Sequence, residues 1–325
     1  MRPNAGHVAT NEDSMSSQAI FTDWNDTHSA LWSHQPLRLQ HRLHQMPAFS
    51  KEALAELIDR YPRDQYGLVH MGAAGQRRFW REGEIGNMPG AGVIDAIEKG
   101  RMWLNLRNVD TVDARYRAVL DAMFTELAER VPGFEPPEYT CGILISSPSA
   151  QVYYHCDLPG QHLWQIIGRK RVYVYPASAP FVTPQNLEDI ALFDVEVDMP
   201  YAPWYDEHAQ VLDLAPGQML SWPLNAPHRV ENLDCLNVSM TVSFNDESIR
   251  RLGKVNLANG ILRHRFGYQP KSRAITGPSY WSKLLLQKAM RNTSWVKRER
   301  SIRRMVDFRL DAEAPGEIVE LKVAA

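Results

Sequence analysis

From residue 138 to 245 the chain is cut into short β-type runs separated by turn residues. No other feature constrains the fold as strongly. The runs fall at 139–146, 151–157, 162–167, 170–175, 209–214, 218–222, 228–233 and 236–244. Leu214-Ala215-Pro216-Gly217-Gln218 makes a tight turn between two of them. Many short strands of even spacing predict a sandwich or barrel, and a double-sheet jelly roll closes such a set without leaving long edges.

The flanks have a different texture. Residues 1–17 are polar and read as a disordered leader. Residues 18–137 read as an α/β region that packs on the jelly roll. Within it, residues 18–33 have loosely helical spacing, Leu37–Leu39 alternates like a strand, and Ser50 is placed to cap a helix whose face carries Leu54, Leu57 and Ile58. Strands are expected around Tyr66–His70 and Met102–Leu106, and helices over 91–99 and Val112–Val131, the last ended by Pro132-Gly133. Residues 246–325 read as a helical C-terminal region. The expected fold class is therefore mainly β with α flanks, with 138–245 as the jelly-roll core.

Composition narrows the class of protein. The chain has 325 residues, 44% hydrophobic, and a formal net charge of −2, which gives no general attraction to nucleic acid or membrane. Cys141, Cys156 and Cys235 are few and widely spaced, so a disulfide framework is not expected and a reducing, cytoplasmic setting is. No run approaches the roughly 20 apolar residues of a membrane helix, and the N-terminus lacks the apolar core of a signal peptide.

The chemistry concentrates in Tyr153-Tyr154-His155-Cys156-Asp157. Strand side chains alternate, so His155 and Asp157 should face one way and Cys156 the other, as a small packing residue. His155 is the only histidine of the 11 followed two residues later by an acid. An imidazole and a carboxylate on one face are two ligands of a two-His-one-carboxylate iron site. His228, in Ala226-Pro227-His228-Arg229-Val230, is the candidate third ligand. His208 is its rival, but it precedes the Leu214–Gly217 turn, whereas a distal ligand is expected on the strand after it. Such a triad leaves three octahedral positions for a bidentate co-substrate and dioxygen. A co-substrate with a remote carboxylate needs a cation deeper in the barrel, and Lys170, fifteen residues after His155, is placed to supply it.

His155-Cys156-Asp157, Gln161, Gln165-Ile166-Ile167-Gly168-Arg169-Lys170-Arg171, Tyr175-Pro176 and the distal His228 together resemble the core of the JmjC/cupin-like Fe(II)- and 2-oxoglutarate-dependent oxygenases. The likeness covers roughly residues 138–245. It is greatest to the hydroxylase branch typified by the asparaginyl hydroxylase that inhibits hypoxia-inducible factor. The resemblance implies iron held by His155, Asp157 and His228, and Lys170 paired with the C5 carboxylate of 2-oxoglutarate. It places the amide of Gln161 near the co-substrate's C1 carboxylate, and puts Ser243, which still has one hydrogen bond to donate, where the family has an amide. It also shows departures: Val152 stands where the family has a threonine, and Trp103 falls near the place of a family phenol. The implied reaction is hydroxylation of a C–H bond, with release of succinate and CO2.

The substrate is open at this level, a small amino-acid-like molecule or a peptide or protein side chain. His162, Trp164 and Tyr153 are candidates to line its cavity, with core packing the competing reading. Tyr205, Asp206 and His208 are candidates for the pocket mouth. The basic, amphipathic stretch 283–304 reads as a solvated helix face, a homodimer contact, or a docking surface for an acidic partner. The competing class for the whole chain is a cupin-type metal- or ligand-binding module without 2-oxoglutarate turnover.

Overall fold

The computed structural model describes residues 19–71, 81–193, 199–301 and 306–321. The expected leader at 1–17 lies outside these residues. The strands in chain order are β1 (Leu37–Gln40), β2 (Tyr66–His70), β3 (Arg81–Glu84), β4 (Met102–Leu106), β5 (Glu138–Ser146), β6 (Gln151–His155) and β7 (Gly160–Ile167). They continue as β8 (Lys170–Val174), β9 (Gln210–Leu214), β10 (Gln218–Ser221), β11 (His228–Asn232), β12 (Asn237–Asn245), β13 (Val306–Leu310) and β14 (Ile318–Glu320).

These strands form two sheets. The larger has the order β1-β10-β7-β12-β5-β4-β2-β3-β13-β14, and the smaller has β6-β11-β8-β9. Strands β5 to β12 divide evenly between the sheets, and every pairing among them is antiparallel. That is a double-sheet jelly roll. The N-terminal strands extend its larger sheet rather than forming a separate one.

The larger sheet is buried on both faces. Its outer face carries Ile143, Ile145, Trp164, Ile166, Met240 and Val242, packed with residues of the helix Lys51–Asp59 (Leu54, Leu57, Ile58) and of the helix Ala114–Arg130 (Leu120, Met123, Leu127). Ser50 caps the first of these helices, its hydroxyl accepting from the Ala53 N–H at 3.1 Å. The inner face meets the smaller sheet across Leu163, Val172, Val174, Leu214, Leu220, Trp222, Ala226 and Val230. This inner layer is the lining of the jelly roll, and the polar groups of the site interrupt it.

The expected helical C-terminus holds for only part of its length. Helices span Glu247–Phe266, Gly277–Met290 and Ser294–Ser301, but β13 then returns to the larger sheet and pairs parallel with β3. Within the basic stretch, several charges have structural partners. The Lys283 ammonium donates to the Ser272 carbonyl, and Arg300 donates to the carbonyls of Leu192 (3.1 Å) and Ala191 (3.0 Å). The two arginines at 303 and 304 lie outside the described residues.

Candidate metal centre and its buried lysine

His155 is the last residue of β6 and His228 the first of β11, and the two are register partners across that antiparallel pair. Their ring centroids are 4.2 Å apart. Asp157 lies two residues beyond the end of β6, not on the strand as its alternation suggested. Its place is fixed differently. Asn225, in the left-handed region at φ 59°, turns its amide to donate to the Asp157 carbonyl at 2.7 Å. The turn that leads into His228 thereby also holds the loop that carries Asp157. The carboxylate comes within 3.4 Å of His228 Nε2, and one ligand atom from each of the three residues lies within 4.8 Å of the others. His208 is exposed, packs against Phe181 and Trp204, and is not part of this cluster.

Local hydrogen bonds fix which imidazole nitrogen faces the centre. His155 Nδ1 lies 2.7 Å from the Tyr153 carbonyl and His228 Nδ1 lies 3.1 Å from the Ala226 carbonyl. A carbonyl oxygen only accepts, so each Nδ1 carries a proton, which leaves Nε2 as the nitrogen that can take a metal. Burial holds the His228 imidazole well below its usual range, so it is neutral, and burial pushes the Asp157 carboxyl up. Trp222 packs against the His228 ring with centroids 4.5 Å apart and shields its open side.

Lys170 is the first residue of β8, 1% exposed, and on the inward face with Val172 and Val174. Among the described residues no hydrogen bond or ion pair reaches its ammonium. Burial pushes its pKa from 10.5 down to about 7, and the Cys235 thiol is the one group whose charge counteracts that. The turn before it explains how a lysine comes to point inward. Gly168 adopts φ 76°, and a Cβ there would stand 2.2 Å from the Leu236 carbonyl. Only glycine makes that turn at that closeness.

Gln161 and Ser243 are register partners on β7 and β12, and the Gln161 amide donates to the Ser243 hydroxyl at 2.8 Å. They stand on the inward side, in alternation with Leu163. His162 and Trp164 do not. They point the other way, into the core under the N-terminal segment, where His162 meets Trp32 and Phe244 and Trp164 meets Phe21 and His41. Burial takes His162 down to about 3, so it is a neutral core imidazole. Cys156 is fully buried on the outer side of the smaller sheet with Tyr154, Tyr175 and Tyr205, which makes it a packing residue as expected and takes Tyr205 into that core. Tyr153 and Asp206 line a cavity of about 510 Å³ together with Tyr154, Tyr201, Arg229 and Glu231, and with Val152 and Val230 of the inner layer.

The donor set fits a hard-to-borderline divalent metal. Two imidazoles and one carboxylate converge, and His228 shares its strand face with Val230 of the inner layer. The buried, unneutralised ammonium fits an anion in that interior. Two residues that complete this interior were not apparent in the sequence. Asn232 and Ser146 are buried and hydrogen-bonded to each other across the two sheets, 86 residues apart.

The double-sheet jelly roll is a fold that recurs among solved structures. Among solved structures the chain is similar to Escherichia coli YcfD, at 17% identity and a TM-score of 0.51, covering 90% of this chain and 76% of that one. A structure of that protein, described as a ribosomal oxygenase in complex with cobalt and 2-oxoglutarate, matches at 16% identity and a TM-score of 0.50, covering 90% and 74%. At such identities the likeness is one of fold. No protein-family profile matches the sequence, and no curated protein sequence is similar to it.

Proposed function

We propose that this chain is an Fe(II)- and 2-oxoglutarate-dependent dioxygenase that hydroxylates a C–H bond. The observation that carries the reading is Lys170, a buried ammonium without a counter-ion among the described residues, in the same interior that the triad borders. Asn232, its register partner, lies four residues from His228 on β11, a strand distance of about 13 Å. A lysine side chain reaches back over part of that span, and a five-carbon dicarboxylate fills the rest.

In this reading His155 and His228 would hold iron through Nε2 and Asp157 would hold it through a carboxylate oxygen. Lys170 binds the C5 carboxylate, and the Gln161–Ser243 pair faces the co-substrate's other end. When bound, iron supplies the oxidising chemistry that couples decarboxylation of 2-oxoglutarate, to succinate and CO2, with hydroxylation of the substrate. The chain's own part is to orient the chelating end and neutralise the remote charge. The apolar lining of Leu163, Val172, Val174, Leu220 and Val230 keeps water away. A protein side chain is the favoured substrate class over a free small molecule, because YcfD, similar in fold, is described as a ribosomal oxygenase.

The test is calorimetric binding of 2-oxoglutarate to protein loaded anaerobically with Fe(II), followed by succinate release in air. Binding in the micromolar range that disappears in His155→Ala and falls at least a hundredfold in Lys170→Met is expected. Fe(II)-loaded protein that binds no 2-oxoglutarate would reduce the chain to a cupin-type binding module.

A further inference from the structure

The co-substrate's remote carboxylate has more oxygen lone pairs than one ammonium can satisfy, and at one place where the resemblance implies help this chain offers no donor. Val152 stands where a threonine is expected, and it packs into the apolar lining. The corner around Lys170 holds a different group. Asn232 is the register partner of Lys170 on the neighbouring strand, so their side chains sit side by side on the inward face. The Asn232 amide spends both protons there, one on the Ser147 carbonyl at 2.8 Å and one on the Ser146 hydroxyl at 2.7 Å. A carbonyl only accepts, so the amide orientation is fixed, and Ser146 Oγ must be the acceptor in the second bond.

That leaves the Ser146 hydroxyl with its own proton to give. Among the described residues no acceptor for it is recorded, although the residue is 3% exposed. Ser147 next to it is satisfied, donating to the carbonyls of Ile97 and Met102. A buried hydroxyl donor and a buried ammonium therefore share one corner of the jelly roll. Among the described residues no carboxylate stands beside that ammonium.

Building on the proposed function, we infer that Ser146 is the second donor to the co-substrate's remote carboxylate, and that Asn232 is a positioning residue that turns the Ser146 hydroxyl towards it. Ser146 would thereby take the part that Val152 cannot. It makes the pocket selective for a 2-oxo acid with a second carboxylate, over one that merely chelates metal.

The experiment measures calorimetric affinity in protein loaded with Mn(II) in place of iron. It compares 2-oxoglutarate with 2-oxobutanoate, which lacks the remote carboxylate. Ser146→Ala should weaken 2-oxoglutarate about ten- to a hundredfold and leave 2-oxobutanoate within about twofold. Ser146→Thr should restore most of the loss. Asn232→Ala should follow Ser146→Ala, and combining the two should add little. Asn232→Asp provides a further arm, because it places a carboxylate beside Lys170. That variant should lose 2-oxoglutarate binding and melt higher than the parent, a gain a merely damaged fold would not show. Ser146→Ala that binds 2-oxoglutarate like the parent, or that loses both ligands equally, overturns the assignment while the function stands. A parent protein that binds no 2-oxoglutarate overturns the function, and this assignment with it.

Discussion

Lys170 is buried with no opposite charge beside it among the described residues, and that sets a pH signature. In the ligand-free protein its pKa is lowered to about 7. Below that pH the ammonium is present and ready for a carboxylate. Above it, binding must first take up a proton, so affinity for 2-oxoglutarate should fall by up to tenfold per pH unit from about pH 7 to 9. Calorimetry across that range checks this, and Lys170→Met should flatten the slope. Stability carries the opposite sign. The unfolded chain holds the lysine proton up to about pH 10.5, so between pH 7 and 10.5 it binds more protons than the folded one. The Lys170 contribution to stability therefore rises with pH there, and the full penalty applies below pH 7. Lys170→Met should raise unfolding stability at neutral pH by a few kcal/mol, read by denaturant titration. At this scale the sequence was informative where chemistry is local. The His155–Asp157 spacing and the Lys170 offset are visible along the chain. Ser146 and Asn232 were not, because neither has a distinctive neighbourhood and their bond joins two sheets.

At the scale of elements, turns do as much as strands. The dyad read as a single strand, yet β6 stops at His155 and Asp157 depends on the Asn225 turn from another strand. Alternation predicts a facing direction only while the strand lasts. A second misreading had another cause. Along β7 nearly every residue is buried, because the sheet is covered on both faces. Period-two contrast between polar and apolar positions is then lost, and His162 and Trp164 could be assigned to either side. Strand positions were easier to read, since turn residues punctuate them. The Gly168 turn makes a sharp element-scale prediction. Gly168→Ala meets both a positive φ and a carbonyl at 2.2 Å. It should cost about 2 kcal/mol or more and weaken 2-oxoglutarate binding by shifting the start of β8. A melting scan alongside calorimetry would separate this from Lys170→Met, which should stabilise.

Across the whole molecule, the sheet is finished by residues from the far end of the chain. Phe308 on β13 is fully buried and lies flat over Gly83 of β3, where a Cβ would come within 2.3 Å of the ring. Arg81 clamps the same junction, bonding Asp307 at 3.0 Å and also Glu320. Parallel pairing between segments more than 220 residues apart leaves no periodic trace, so the C-terminus read as a continuation of its helices. Phe308→Ala should cost about 3–5 kcal/mol of stability and leave 2-oxoglutarate affinity near that of the parent, since the junction is remote in sheet order from β7 and β12. The molecule also brings its own instrument. Among the tryptophans of the described residues, Trp222 alone has its ring packed on that of a proposed metal ligand. A paramagnetic ion arriving at His228 would quench that indole and leave distant ones bright. Filling of the centre can therefore be followed as a loss of intrinsic emission in unlabelled protein, with Trp222→Phe as the dark control.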